Sequence, residues 1–224
     1  METTGLPAKV LPKYTKGEEI FNMVTHILGA VMGIVATVLC VVKSATNSNI
    51  YGVISTAIFG TTMIILYTMS SIYHGLSPKL KAKKVFRILD HCSIFLLIAG
   101  SYTPFALCTL REYDLATGWI IFAVIWIMAI LGITLNAIDL KKYKVFSMIC
   151  YLTMGWCIIV KINLLPALLG IKGFVLLLAG GIVYTIGAIL YGIGKKRKYI
   201  HSVFHIAICI GNLLQFLCIL LYVL

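Results

Sequence analysis

The chain has 224 residues, of which 61% are hydrophobic and only 12% are charged, and its mean hydropathy is +1.02. Soluble domains carry about 25% charged residues, so this composition excludes a soluble globular protein and indicates an integral membrane protein. The net charge of +12 would suit nucleic-acid binding, but no pattern of a nucleic-acid-reading module is present. We therefore expect membrane lipids, not nucleic acid, as partners.

Seven apolar segments have about the length of a membrane-spanning helix. They lack the alternating pattern of a membrane β-barrel, so we predict an all-α fold with seven transmembrane helices. The predicted spans are Ile20–Val42, Ile50–His74, Val85–Leu110, Thr117–Ile138, Val145–Val160, Gly173–Ile193 and Tyr199–Leu224. The fifth span is the shortest, and we expect it to continue past Lys161 towards Leu165 until Pro166 ends it.

The basic residues predict how these spans are oriented. Of the 19 lysines and arginines, all but four lie in the N-terminal tail and in the second, fourth and sixth loops. Because cytoplasmic loops are enriched in Lys and Arg, we expect a cytoplasmic N-terminus and an extracellular C-terminus. Residues 1–17 would then form a cytoplasmic tail and residues 18–224 one membrane domain. The expected location is the plasma membrane.

Polar residues inside the predicted spans gather at one membrane depth. His201 and His205 are four residues apart near the cytoplasmic start of the seventh span, so they share a helix face. His74 lies at the cytoplasmic end of the second span, with Ser70 one turn deeper. Asp90 lies near the cytoplasmic start of the third span. Since polar groups are costly inside a membrane, this convergence indicates a functional site.

Three imidazoles from two helices, with a carboxylate nearby, match the ligands of a zinc ion. Catalytic zinc takes three protein ligands and leaves a fourth position for water. We therefore predict that His74, His201 and His205 bind Zn²⁺. Asp90 would accept a hydrogen bond from the water, act as general base, or complete the ligand shell directly. Ser70 would orient the water or a substrate carbonyl.

Other polar residues have structural explanations. Asp90 could instead pair with Arg87, three residues earlier on the same helix. His91 points about 100° away from Asp90 on a helix, so it is expected to have a supporting or structural role. The seven cysteines occur singly, without a CxxC pair, and are expected to be small buried hydrophobic residues.

The first span carries Glu19, Asn22 and His26 on one face. Glu19 lies at the expected start of the helix, where a carboxylate interacts favourably with the helix dipole. For His26 a hydrogen-bonded packing role is favoured over a ligand role. Gly29 and Gly33 form a GxxxG pattern, which is typical of close helix packing.

Four separated motifs resemble the hemolysin III family. They are EEIFNMVTH (Glu18–His26), SSIYH (Ser70–His74), LDHCSIFLLIAGSYTPF (Leu89–Phe105) and HSVFH (His201–His205). CYLTMGW and GGIVYTIGAILY, later in the chain, resemble the family too, so the similarity covers nearly all of the sequence from Glu18 onward. This family is grouped with the progestin and adipoQ receptors, which include the adiponectin receptors, in a superfamily that also contains the alkaline ceramidases.

The resemblance implies seven helices, a cytoplasmic N-terminus and a buried zinc ion. In the receptors of this superfamily, zinc is held by one histidine of helix 2 and two of helix 7, and an aspartate of helix 3 acts through water. The corresponding residues here are His74, His201, His205 and Asp90, and the serine one turn from the helix 2 histidine is Ser70. Members commonly have a further histidine where this chain has Gln215, which is too far from His205 to join the site.

Two classes of function fit these expectations. The first is a zinc-dependent intramembrane hydrolase that cleaves a lipid amide or ester, as the resemblance to the ceramidases implies. The second is a non-enzymatic membrane protein, either a pore-forming cytolysin or a regulator of membrane fluidity, in which zinc only joins helices. A monomeric pore is disfavoured because the outer halves of the spans lack a polar stripe.

Overall fold

Seven helices that are long and apolar enough to cross a membrane run through the described part of the chain. The computed structural model describes residues 11–12, 14–193 and 198–224. The helices are α1 (Lys16–Thr46), α2 (Ile50–Gly75), α3 (Lys81–Tyr113), α4 (Leu115–Asp139), α5 (Lys144–Gly155), α6 (Leu165–Ile193) and α7 (Ile200–Cys218). The prediction of an all-α membrane fold with seven spans is confirmed.

Helix α1 begins four residues before the predicted start at Ile20 because its first turn is capped. The Thr15 hydroxyl accepts a hydrogen bond from the Glu18 backbone N–H at 3.3 Å. The Glu18 carboxylate in turn accepts one from the Thr15 N–H at 2.8 Å. This reciprocal capping box satisfies backbone donors that would otherwise have no partner at the helix start. The helix therefore includes charged residues that hydropathy alone places outside the span.

The expected end of the fifth span at Pro166 is wrong. Regular α-helix ends at Gly155, and a 3₁₀ turn, Cys157–Lys161, completes the span. Pro166 lies in the first turn of α6, where a missing backbone N–H costs little because the first N–H groups have no partner inside the helix. At Gly170 the backbone leaves helical geometry with φ 65° and ψ 163°, and the continuous part of α6 follows.

Helix α3 is the central element of the bundle. In its most apolar 18-residue window 78% of the residues are buried, compared with 22–50% in the other spans. Its regular part ends at Pro104, after which Phe105–Leu110 forms a π-helical segment. Such segments accommodate the carbonyl that a proline leaves without a donor. Asp90, in the third turn of α3, interacts electrostatically with His74 of α2 and with His201 of α7.

Close contact between α1 and α2 depends on the predicted GxxxG pattern. A Cβ atom on Gly29 would lie 2.5 Å from Cε1 of Tyr67, and one on Gly33 would lie 3.0 Å from Cγ1 of Ile64. The Tyr67 ring is fully buried, and its hydroxyl accepts a hydrogen bond from Asn212 of α7 at 2.7 Å. The ring therefore has no free space to move into.

We predict that Gly29→Ala lowers the free energy of unfolding by about 1–3 kcal/mol, because the added methyl group overpacks the contact with Tyr67. Titration with SDS in mixed micelles measures this change. Gly155→Ala is the matched control, since a Cβ there would have no heavy atom within 4 Å. Equal stability of the Gly29→Ala variant and the wild type would contradict the packing described here.

Candidate metal centre

Three histidine side chains meet in the interior of the bundle. One ring nitrogen from each of His74, His201 and His205 lies within 4.8 Å of the other two. His74 comes from the last turn of α2, and the other two come from the first two turns of α7. All three residues are buried. The structure thus brings together the three histidines that the sequence spacing and predicted depth selected.

The nitrogen atoms of this cluster fit a shared cation. His201 Nε2 and His205 Nε2 are 3.0 Å apart. His74 Nε2 is buried and has no hydrogen-bond partner in the described residues. Zinc binds imidazole nitrogen at about 2.0–2.1 Å, so two ligands of one ion lie about 4 Å apart or closer. Small side-chain movements would bring all three nitrogens within reach of a single zinc ion.

The other nitrogen of His74 contacts a carboxylate that sequence reasoning did not assign to the site. Nδ1 of His74 lies 2.6 Å from Oε2 of Glu19. The second oxygen of Glu19 accepts a hydrogen bond from the Lys83 ammonium at 2.7 Å. Glu19 does lie in the first turn of α1, as expected for a residue that stabilises the helix dipole, but its carboxylate also faces the cluster.

Asp90 and Ser70 lie beside the histidines. The Asp90 side chain is 15% exposed, and its Oδ2 is 3.5 Å from Nδ1 of His91. The Asp90 carboxylate also interacts electrostatically with His74 and with Ser70. The Ser70 hydroxyl is buried close to the Asp90 carboxylate. Next to the cluster, Asp90 therefore offers a hydrogen-bond acceptor and Ser70 a hydrogen-bond donor.

His91 turns towards α6. Its Nδ1 donates to the Arg87 carbonyl oxygen at 2.9 Å, so its Nε2 accepts from the Tyr191 hydroxyl at 3.0 Å. The Tyr191 ring lies 5.9 Å, centroid to centroid, from that of His201. His91 thus positions an aromatic ring at the edge of the site, which agrees with the supporting role expected for it.

Tyr14 covers the cluster on the side of the N-terminal segment, and nothing in the sequence pattern singled it out. Its ring stacks on that of His201, with centroids 4.9 Å apart and planes 14° apart. Burial raises the pKa of the Tyr14 phenol well above its usual range, so the hydroxyl stays neutral. Glu18 fixes this segment against the start of α7 by accepting a hydrogen bond from the Tyr199 N–H at 2.7 Å.

Asn22 and His26 line the α1 side of the cluster. The His26 ring lies 3.9 Å from that of His205 and meets Tyr67 edge-on at 5.0 Å. The side-chain polar atoms of Asn22 and His26 are buried without a hydrogen-bond partner in the described residues. The structure therefore supports packing of His26, but shows no protein partner for the hydrogen bonds that were expected.

An apolar pocket lies between α3, α5, α6 and α7, and Phe204 stands between it and the histidines. His91, Tyr191 and Phe204 form part of its wall, and the Phe204 ring also lies 5.6 Å from that of His201. The remaining wall is mostly aliphatic and includes Ile94, Leu97, Ile98, Met148, Leu152 and Ile208. A second pocket is also lined by Trp156 and Tyr184 of the first pocket. It lies towards the helix ends opposite the histidines. The two pockets together follow the apolar interior away from the histidines.

These features define a seven-helix integral membrane protein with a buried three-histidine cluster beside an apolar pocket. The pattern of the family described as Haemolysin-III related matches residues 14–216, which include all the candidate site residues. The chain therefore belongs to the haemolysin-III family, as the resemblance of its motifs indicated.

Relatives with similar sequences span most of the chain. Hemolysin-3 of Bacillus cereus is 40% identical over 92% of this chain and 92% of its own length. A Hemolysin-3 homolog of Bacillus subtilis (strain 168) is 36% identical over 93% of this chain and 96% of its own length. The human monocyte to macrophage differentiation factor is 29% identical over 89% of this chain and 82% of its own length. The similarity thus extends from bacterial to animal proteins.

Proposed function

We propose that this protein is a zinc-dependent intramembrane hydrolase that cleaves a lipid amide or ester, with a ceramidase-like reaction. One observation carries this proposal: the buried three-histidine cluster shares a wall with an apolar pocket. Phe204 forms that wall, since it lines the pocket and its ring lies 5.6 Å from that of His201 and 5.7 Å from that of His205. A lipid whose acyl chain fills the pocket would place its carbonyl group near the histidines.

Each residue of the site has a defined task in this proposal. His74, His201 and His205 would hold the zinc ion, which when bound would supply Lewis acidity towards a carbonyl group and towards water. Asp90 accepts a proton from the attacking water at its carboxylate and delivers it to the leaving group. The Ser70 hydroxyl, which is buried close to Asp90, donates a hydrogen bond to the water or to the substrate carbonyl.

The apolar pocket supports an acyl lipid as substrate. Most of the exposed surface of its wall is apolar, although its lining also includes five polar side chains: His91, Ser101, Lys144, Ser147 and Thr185. Burial of an acyl chain against such a wall contributes about 0.8 kcal/mol for each methylene group removed from water. The polar end of the substrate would then lie at the histidine end of the bundle, where the exposed lysines of the loops are found.

The second candidate is a non-enzymatic protein in which zinc only joins α2 to α7. The Hemolysin-3 name of the bacterial relatives favours a cytolytic protein. A pore through one molecule is not supported, because large buried side chains fill the half of the described bundle opposite the histidines: Phe59, Tyr102, Phe105 and Leu110. Hydroxyl groups there, such as those of Thr56 and Thr103, bond to carbonyl oxygens of their own helices.

We predict that the purified protein binds about one zinc ion per chain and that His201→Ala/His205→Ala binds almost none, because two of three ligands are removed. Metal analysis after gel filtration in detergent measures this. His91→Gln is the control, since His91 is a histidine outside the cluster. Equal zinc in the double variant and the wild type would refute the assignment of the metal site.

We predict that the wild type releases fatty acid from at least one member of a panel of ceramides and acyl esters. Asp90→Asn should reduce the rate about 10²–10⁴-fold, as expected for loss of general acid–base catalysis, and should keep its zinc. Mass spectrometry of the released acid, alongside metal analysis, measures both. A wild type that binds zinc but cleaves no lipid, or an Asp90→Asn variant with full activity, would favour the non-enzymatic alternative.

We also propose that the histidine end of the bundle faces the cytoplasm at the plasma membrane. Exposed lysines at this end support the orientation: Lys79, Lys81, Lys84, Lys141 and Lys142. An alkaline phosphatase fused after Leu224 should therefore be active and a fluorescent protein at the same place should be dark. Fusions after Lys142, in the loop between α4 and α5, should give the opposite result. The reverse pattern would overturn the orientation.

A further inference from the structure

An ion pair between a buried lysine and a partly buried glutamate lies directly beside the histidine cluster. Glu19 is in the first turn of α1 and Lys83 in the first turn of α3, and Nζ of Lys83 lies 2.7 Å from Oε1 of Glu19. Lys83 is only 1% exposed, and its ammonium also donates to the Leu76 carbonyl oxygen at the end of α2 at 2.9 Å. Lysine is almost never fully buried unless it is paired, because removing its charge from water is costly. Stabilisation of the α1 dipole by Glu19 would not require this arrangement.

The other carboxylate oxygen of Glu19 determines which ring nitrogen of His74 carries the proton. An ionised carboxylate can only accept hydrogen bonds, so at 2.6 Å from Oε2 the Nδ1 atom of His74 must carry the proton. A neutral imidazole then has its lone pair on Nε2, which is the nitrogen without a partner in the described residues. This nitrogen is the one left to join His201 and His205 in the cluster.

We infer that Glu19, itself held by Lys83, is a positioning residue that fixes His74 in the tautomer and orientation required for metal binding. This inference rests on the zinc site proposed above. Metal-binding histidines commonly donate their second N–H to a carboxylate, which fixes the ring and strengthens the ligand. Lys83 holds the second oxygen of Glu19, so the carboxylate cannot turn away from His74 without losing a buried hydrogen bond.

The same contacts connect the metal site to the ends of three helices. Glu19 comes from α1, His74 from α2 and Lys83 from α3, and Leu76 begins the loop between α2 and α3. The position of His74 therefore depends on how these helix ends pack. A purely structural ion pair would produce the same connections, so the experiment must separate support of the ligand from support of the fold.

Two double variants make this separation. Glu19→Gln/Lys83→Met removes both buried charges and keeps an amide oxygen that can accept from Nδ1 of His74. Glu19→Leu/Lys83→Met also removes both charges but leaves no acceptor. Because neither variant leaves an unpaired buried charge, the large destabilisation caused by a lone charge is avoided in both. Glu112→Gln, whose side chain is 61% exposed at the far end of α3, controls for the loss of a carboxylate elsewhere.

Zinc affinity is measured by competition with a chelator, in detergent and at a temperature where circular dichroism shows every variant folded. The variant without an acceptor should bind zinc about 10–100-fold more weakly than the wild type. The zinc affinity of Glu19→Gln/Lys83→Met should stay closer to that of the wild type. The control Glu112→Gln should have the wild-type affinity. In the cobalt-substituted proteins, the visible bands should shift in the leucine variant and stay near the wild-type positions in the glutamine variant.

Equal affinities in the two double variants would overturn the positioning role and leave the zinc site intact. Absence of zinc from the wild type would instead overturn the proposed metal site itself. Nitrogen-15 NMR of the wild-type histidine rings tests the inference without any variant, since His74 should carry its proton on Nδ1. A proton on Nε2 would overturn it even if the leucine variant failed to fold.

Discussion

The cost of placing polar groups in hydrocarbon is the constraint on which the rest of this structure depends. Backbone groups meet it by forming helices, and most hydroxyl groups meet it by bonding to carbonyls of their own helix, as Thr56 and Thr103 do. Imidazole and charged groups have no such local solution. Among the described residues, the histidines and the fully buried Lys83 lie at one end of the bundle, where Lys83 pairs with Glu19 and Glu19 contacts His74. The clustering of these polar side chains at one end of the bundle follows from this constraint.

The same constraint explains why the site has both a polar and an apolar side. The histidines come from the last turn of α2 and the first two turns of α7, and Tyr14 covers His201 from the N-terminal segment. Beyond Phe204 the interior becomes apolar and continues along α3, α6 and α7 as the two adjoining pockets. The histidine cluster at one end and the apolar pockets beyond it match the polar head and the acyl chain of a lipid. The proposed hydrolase activity uses both parts.

Much of this architecture could be predicted from local sequence patterns. Apolar segments of spanning length gave seven helices, and the four-residue spacing of His201 and His205 placed both on one helix face. Counting along each span from the basic loops then brought His74 to the same depth. Prediction failed where capping or backbone geometry decided the outcome. Thr15 and Glu18 extend α1 beyond its apolar part, and Pro166, which was expected to end the fifth span, lies in the first turn of the next helix.

The sequence by itself determined the class of protein, the number of helices and the level of the three histidines along their helices, because these depend on hydropathy and on spacing within one helix. Only the tertiary structure decided which groups meet across helices. Glu19 is 64 residues from Lys83, and Tyr14 is separated from His201 by nearly the whole chain, so no local pattern could pair them. Such contacts depend on the rotation and axial position of each helix, which are fixed by packing at places such as Gly29 against Tyr67.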